Sequence, residues 1–87
     1  RRIELEFMIL NKGDLASVQN TLIAALKTGT KIFVSEPQVY YSVIEDPKVK
    51  LYISIWTKSI EPDQYLEAKD EVIKTIVKTL KEQQVLQ

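Results

Sequence analysis

The sequence predicts an α+β domain of order β-α-β-β-α, an antiparallel sheet carrying two helices on one face. Three observations lead there. Three short stretches alternate apolar and polar residues, the mark of a strand with one buried face. Two others repeat apolar residues at helical spacing. Only a four-residue turn cluster separates the second and third strands, which is hairpin length.

The first strand is Ile3-Glu4-Leu5-Glu6-Phe7-Met8-Ile9, with Ile3, Leu5, Phe7 and Ile9 on one face. Asn11-Lys12-Gly13-Asp14 follows as a turn, and Asp14 is a good N-cap. Leu15, Val18, Leu22, Ala25 and Leu26 then mark the first helix, which Gly29 ends through an αL cap. Residues 31–36 read either as an extended connection or as the start of a strand. Pro37 cannot donate to a ladder and belongs at a strand's beginning or edge.

The second strand is Gln38-Val39-Tyr40-Tyr41-Ser42-Val43-Ile44, with Val39, Tyr41 and Val43 facing one way. Glu45-Asp46-Pro47-Lys48 turns the chain into "KVKLYISIW", where Val49, Leu51, Ile53 and Ile55 alternate with Lys50, Tyr52, Ser54 and Trp56. Ser59-Ile60-Glu61-Pro62-Asp63 starts the second helix, with Pro near N1 and acid in the first turn. Tyr65, Val72, Ile73, Ile76 and Leu80 form its apolar stripe, to about Gln84.

A split β-α-β with an inserted antiparallel strand is the ferredoxin-like sandwich, here without its final strand. Both helices then cover the face built by Leu5, Phe7, Val43, Leu51, Ile53 and Ile55. Strand three lies between strands one and two, leaving strand one an unpaired edge that invites another strand.

Composition narrows function. The 87 residues make one small domain, spanning residues 1–87, which buries roughly 60–65% of its unfolded surface. Twelve basic residues balance twelve acidic ones, so no electrostatic pull toward nucleic acid or an anionic membrane is expected. There is no Cys and no His, which removes thiolate chemistry, the commonest general base and the commonest metal ligand. Glu4 with Glu6, and Asp70 with Glu71, read as solvated charge, because no cleft is indicated to split their pKa values. No catalytic residue, cofactor or metal is expected. The longest apolar run, Phe7-Met8-Ile9-Leu10, is far below the ~20 residues of a membrane helix. Beginning at Arg1 without an initiator Met or a signal-like segment, the chain is expected to be a piece of a longer polypeptide.

The face opposite the helices holds the remaining question. Tyr52 and Trp56 lie there, four residues apart, with Tyr40, Ile44, Met8 and Leu10. Scattered exposed apolar groups need no function. Base stacking, as in RNA-recognition motifs, wants a basic, Gly-containing third strand, and Val49–Trp56 has no Gly while strand one offers Glu4 and Glu6. A protein interface fits better, since Tyr, Trp and Met are enriched at interface cores. Tyr40, Tyr52, Trp56 and Met8 are the candidate interface residues. Lys69, Lys74, Lys78 and Lys81, with Glu67 and Glu71 among them, read as the wet face of the second helix.

These segments, taken in order, carry a family resemblance. "RRIELEFMI" is similar to the strand that opens the C-terminal cytoplasmic α/β domain of MscS-type small-conductance mechanosensitive channels. "DLASVQNTLIAAL" resembles that domain's first helix and "SEPQVYYSVIED" its Pro-preceded second strand. "VKLYISIWTKS" and "YLEAKDEVIKTIVKTLKEQ" resemble its third strand and long second helix. The likeness runs from Arg1 to about Gln84. It departs at Asp46-Pro47, where the family usually carries Gly, and at Gln84-Val85-Leu86-Gln87, where the family runs through a Gly and a Pro-rich barrel strand.

The resemblance implies a homo-oligomer, a heptamer, whose cytoplasmic domains enclose a vestibule below a pore. It implies an inner-membrane protein held by segments outside this sequence and a role in osmotic downshock, with no nucleic acid involved. Trp56 would sit near a subunit contact or against a missing β-domain. Two other readings share the topology. An ACT-type regulatory domain binds a small metabolite at a subunit interface, and Gly13 echoes its Gly-rich first turn. The metal-sensing domain of a cation-efflux transporter ligates through His, which is absent here.

Overall fold

The computed structural model describes residues 1–29, 35–58 and 61–86, with backbone alone at positions 29, 43 and 44. Strands β1 (Arg2–Leu10), β2 (Gln38–Glu45) and β3 (Lys48–Trp56) and helices α1 (Leu15–Gly29) and α2 (Pro62–Glu82) follow in the expected order. The sheet order is β1-β3-β2, with β3 antiparallel to both neighbours.

Register assigns the core face. Ile3 lies opposite Ile55, Leu5 opposite Ile53, Phe7 opposite Leu51 and Ile9 opposite Val49, and directly opposed residues share a face. Ile3, Ile9, Val49, Leu51, Ile53 and Ile55 are buried. Leu5 and Phe7 are half-buried, packed against the cluster from an edge strand. Val18, Leu22 and Leu26 of α1 and Ala68, Val72, Ile76 and Leu80 of α2 complete one continuous apolar cluster. Both helices therefore cover the same face, as in a ferredoxin-like sandwich.

Local chemistry sets the boundaries. Gly13 has φ +105°, a left-handed conformation that favours glycine, and its amide donates to Asn11 Oδ1 at 2.9 Å. Asp14 Oδ1 then accepts the Ser17 amide at 3.0 Å, a side-chain N-cap for α1. In α2 the Glu61 amide at the N-cap donates to Gln64 Oε1 at 3.1 Å, and Pro62 follows as N1. β2 begins directly after Pro37, and a cis Asp46–Pro47 peptide forms the hairpin turn into β3. Residues 30–34, 59, 60 and 87 lie outside the described residues, among them the Ser59-Ile60 helix start and positions 31–34 of the ambiguous stretch before Pro37, whose last two residues, Ser35 and Glu36, are in no strand.

Three expectations change. First, β1 is not a wholly free edge. The Leu10 amide donates to the Val85 carbonyl at 2.8 Å and Leu86 forms an antiparallel bridge with Ile9, so the expected missing strand is begun. Val85 is buried there. Second, β2 shifts register between Tyr41 and Val43, setting Val43 opposite Lys50 and Ile44 opposite Val49. An extra residue in one strand swaps the faces of everything beyond it. The side chains of Val43 and Ile44, expected in the core and on the opposite face respectively, lie outside the described residues. Third, Ile73 is only half-buried, on the flank of the α2 stripe, while Ala68 and Thr79 are buried.

Candidate assembly surface

The open face of the sheet is built in rows by the same register. Arg2 lies opposite Trp56; Glu4, Ser54 and Gln38 form the next row; Glu6, Tyr52 and Tyr40 the third; Met8 and Lys50 the fourth. All four candidate interface residues, Met8, Tyr40, Tyr52 and Trp56, thus occupy one surface. Tyr40 is 53% exposed, Trp56 45% and Met8 41%, while Tyr52 is half-buried between Tyr40 and Glu6.

The apolar groups are not one patch. Tyr40, Tyr52 and Met8 cluster toward the hairpin end of the sheet, and Trp56 stands at the other. The polar row Glu4–Ser54–Gln38 separates them, with Ser54 buried beneath its longer neighbours. Arg2 spans the gap. Its guanidinium pairs with Glu4, donates to the Tyr52 hydroxyl at 3.2 Å and lies 5.7 Å from the centre of the Trp56 ring. Lys50 balances Glu6 at 3.6 Å. Alternation in the sequence locates the face, but Arg2 reads there only as a strand-end charge. Its bridging role needs the β1–β3 register, which no local pattern gives.

The end of the sheet beside Trp56 is fastened to α2. The Thr57 amide and hydroxyl both donate to the Arg1 carbonyl, at 2.7 and 3.0 Å. Tyr65 donates to the Arg2 carbonyl at 3.3 Å, and the Arg1 guanidinium lies 3.8 Å from the Tyr65 ring centre, within cation–π range. The backbone that presents Arg2 and Trp56 is therefore fixed from the helix layer.

A second uncovered apolar surface escaped the sequence pattern. Leu66, Ile73 and Val77 align along α2, and Leu66 is 62% exposed. Ile73 and Val77 line a shallow groove with Lys74, Lys78, Lys81 and Glu82. Long lysine stems mask such a stripe, because they read as a wet face while their methylenes cover apolar surface.

Among the described residues two groups titrate away from their ordinary values. Lys74 is raised above its ordinary value, chiefly by its hydrogen bond to Asp70, one turn earlier. Tyr41 is raised because it is partly buried where its hydroxyl donates to the Leu15 carbonyl. Among the described residues no cluster of His, Cys, Asp or Glu could hold a metal, and no helix is long and apolar enough to cross a membrane.

No family model and no curated protein matches the sequence. Solved structures do. The chain superposes on the cryo-EM structure of Arabidopsis thaliana MSL1 with a TM-score of 0.88 at 21% identity, over 99% of this chain and 32% of that one. A second cryo-EM structure of the wild-type protein gives 0.87 at 21% identity, over 99% of this chain and 31% of that one. A single-substitution variant gives 0.88 at 21% identity, over 99% and 34%. The chain has the fold of a segment of MSL1 and spans about a third of its length.

Proposed function

We propose that this chain is the cytoplasmic α/β domain of an MscS-type mechanosensitive channel, residues 1–87 forming one domain in the wall of a homo-oligomeric vestibule. The observation that carries the reading is the superposition of nearly the whole chain, sheet order and both helices included, on MSL1, an MscS-like channel. Two uncovered apolar surfaces on so small a domain suit a subunit that is surrounded by others. In this reading the pore and the tension sensor belong to membrane segments outside this sequence. The domain sits on the cytoplasmic side of the inner membrane, seven copies surround the vestibule, and the protein relieves osmotic downshock. It performs no catalysis. Met8, Tyr40, Tyr52 and Trp56 serve contacts between subunits or with a neighbouring domain.

Survival tests the physiological part. A bacterial host stripped of its own tension-gated channels and expressing the full-length protein should survive a sudden fall in external osmolarity. Death at the rate of the empty host, with the protein demonstrably in the membrane, counts against it.

One observation favours a second reading. A cleft of about 250 Å³ opens beside the Gly13 turn, lined by Leu10, Lys12, Asp14, Leu15, Val18 and Val85. An ACT-like regulatory domain would place a small metabolite near such a turn. Saturable binding of an amino acid to the 87-residue chain, abolished by Val18→Trp in a folded variant, would favour it.

A further inference from the structure

We propose that the domain is a tension-bearing link: load applied at Arg1 and Leu86 meets it in shear, with β1 held against β3 and α2 held against the core face. The inference goes beyond the channel reading and rests on it only for the source of the load, a longer polypeptide in a stretched membrane.

The two loaded points lie at opposite ends of the molecule. β1 runs from Arg2, opposite Trp56, to Leu10, opposite Lys48. Helix α2 starts beside the beginning of β1, where the Tyr65 hydroxyl meets the Arg2 carbonyl. It finishes beside the other end, where the Leu10 amide donates to the Val85 carbonyl. The first and last elements therefore run in the same direction and are pulled from opposite ends. At the usual rises β1 is ~27 Å long and the 21-residue α2 ~31 Å, against a long dimension of 40 Å for the whole domain.

Direction decides what such a load does. Ladder hydrogen bonds stand perpendicular to the strands. A pull on Arg1 along β1 therefore loads the whole β1–β3 ladder at once, and no pair opens before the rest. The pull begins at a fastened point, since the Arg1 carbonyl accepts both the Thr57 amide and the Thr57 hydroxyl, at 2.7 and 3.0 Å. β1 has no Pro, no Gly and no register shift at which the ladder could part. At the other end, α2 would have to slide along the sheet with Val72, Ile76 and Leu80 buried in the core. Close-packed side chains do not slip singly.

The tail alone yields. Val85 and Leu86 double back along β1, so an outward pull at Leu86 peels first the bridge to Ile9 and then the Leu10–Val85 bond. Straightening residues 83–86 gives roughly 13 Å of extension, after which the load reaches the helix. The domain thus takes up a short slack and then holds. Tension passes from one end to the other instead of opening the sheet.

The absence of cysteine makes the test direct, because handles attach only where one is introduced. Double variants of the 87-residue chain are stretched one molecule at a time in an optical trap, at one loading rate. Arg1→Cys with Leu86→Cys pulls in shear. Arg1→Cys with Lys58→Cys pulls apart two neighbouring strand ends and unzips the same ladder pair by pair. The shear variant should rupture at no less than about twice the force of the unzipping one, because its bonds must break together. Moving the second handle to Gln83→Cys should remove the short initial extension and leave the rupture force unchanged. The same ladder and core break in every case, so force reports the barrier along the pulling direction rather than overall stability. Rupture in shear at or below the unzipping force, with the handle at either Leu86→Cys or Gln83→Cys, overturns the inference. These forces are read on the isolated chain, so they stand or fall separately from ion conduction, which membrane recording reads in the full-length protein.

Discussion

The amide of Val85 donates to the carbonyl of Leu80 at 3.2 Å, closing α2 and turning the tail back onto β1. With the Gln84 amide on the Lys81 carbonyl at 3.0 Å, this is a Schellman ending, and both Val85 and Leu80 are buried. The residue that must be left-handed is Gln84, at φ 60°.

A left-handed residue with a Cβ costs roughly 1–2 kcal/mol that glycine avoids, partly offset by the greater freedom of glycine in the unfolded chain. Gln84→Gly should therefore stabilise the chain by about 0.5–1 kcal/mol, read as a rise in the urea midpoint. A midpoint that falls would mean the turn is held some other way.

Ile53 is fully buried at the centre of the sheet, while Trp56 is half-exposed at its end. Ile53→Ala should cost about 2–5 kcal/mol, a large share of the stability of so small a domain. Trp56→Ala should cost about 1 kcal/mol in the isolated chain, from lost partial burial and the exposed contact with Arg2. In the full-length protein the order of importance for assembly should reverse. Equilibrium denaturation of the isolated variants and size-exclusion chromatography of the full-length ones check both halves.

Burial at the Leu15 carbonyl raises Tyr41 above its ordinary 10.0. A raised acid binds its proton more tightly in the folded state, so its contribution is complete below pH 10 and is lost as pH rises through the folded pKa. Thermal midpoints measured between pH 9 and 11 should fall with pH, and Tyr41→Phe should flatten that fall. An unchanged slope in Tyr41→Phe would contradict this assignment.

Much of this fold is legible in the sequence because its signals are local. Alternation in Val49–Trp56 fixes the faces of β3, and Asp14, Gly13 and Pro62 mark their turns and caps through short-range hydrogen bonds. What escapes depends on distant partners. The register shift after Tyr41 is invisible because Ser42 and Val43 continue the alternation without interruption. The tail is missed because Gln84 replaces the glycine that signals a helix end, so Val85 and Leu86 look like a stray apolar pair. The candidate surface divides the same way. Alternation places Met8, Tyr40, Tyr52 and Trp56 on one face, while the Arg2 bridge between its two ends follows only from pairing β1 with β3.

Membrane recording is the most direct test of the channel reading. The full-length protein containing this chain is expressed in a host without its own tension-gated channels, and excised patches are held under stepped suction. The account predicts unitary currents that appear at a reproducible tension and close when suction is released, with closure disturbed by Trp56→Ala. Patches that stay silent up to rupture, although the protein is present in the membrane, would contradict it.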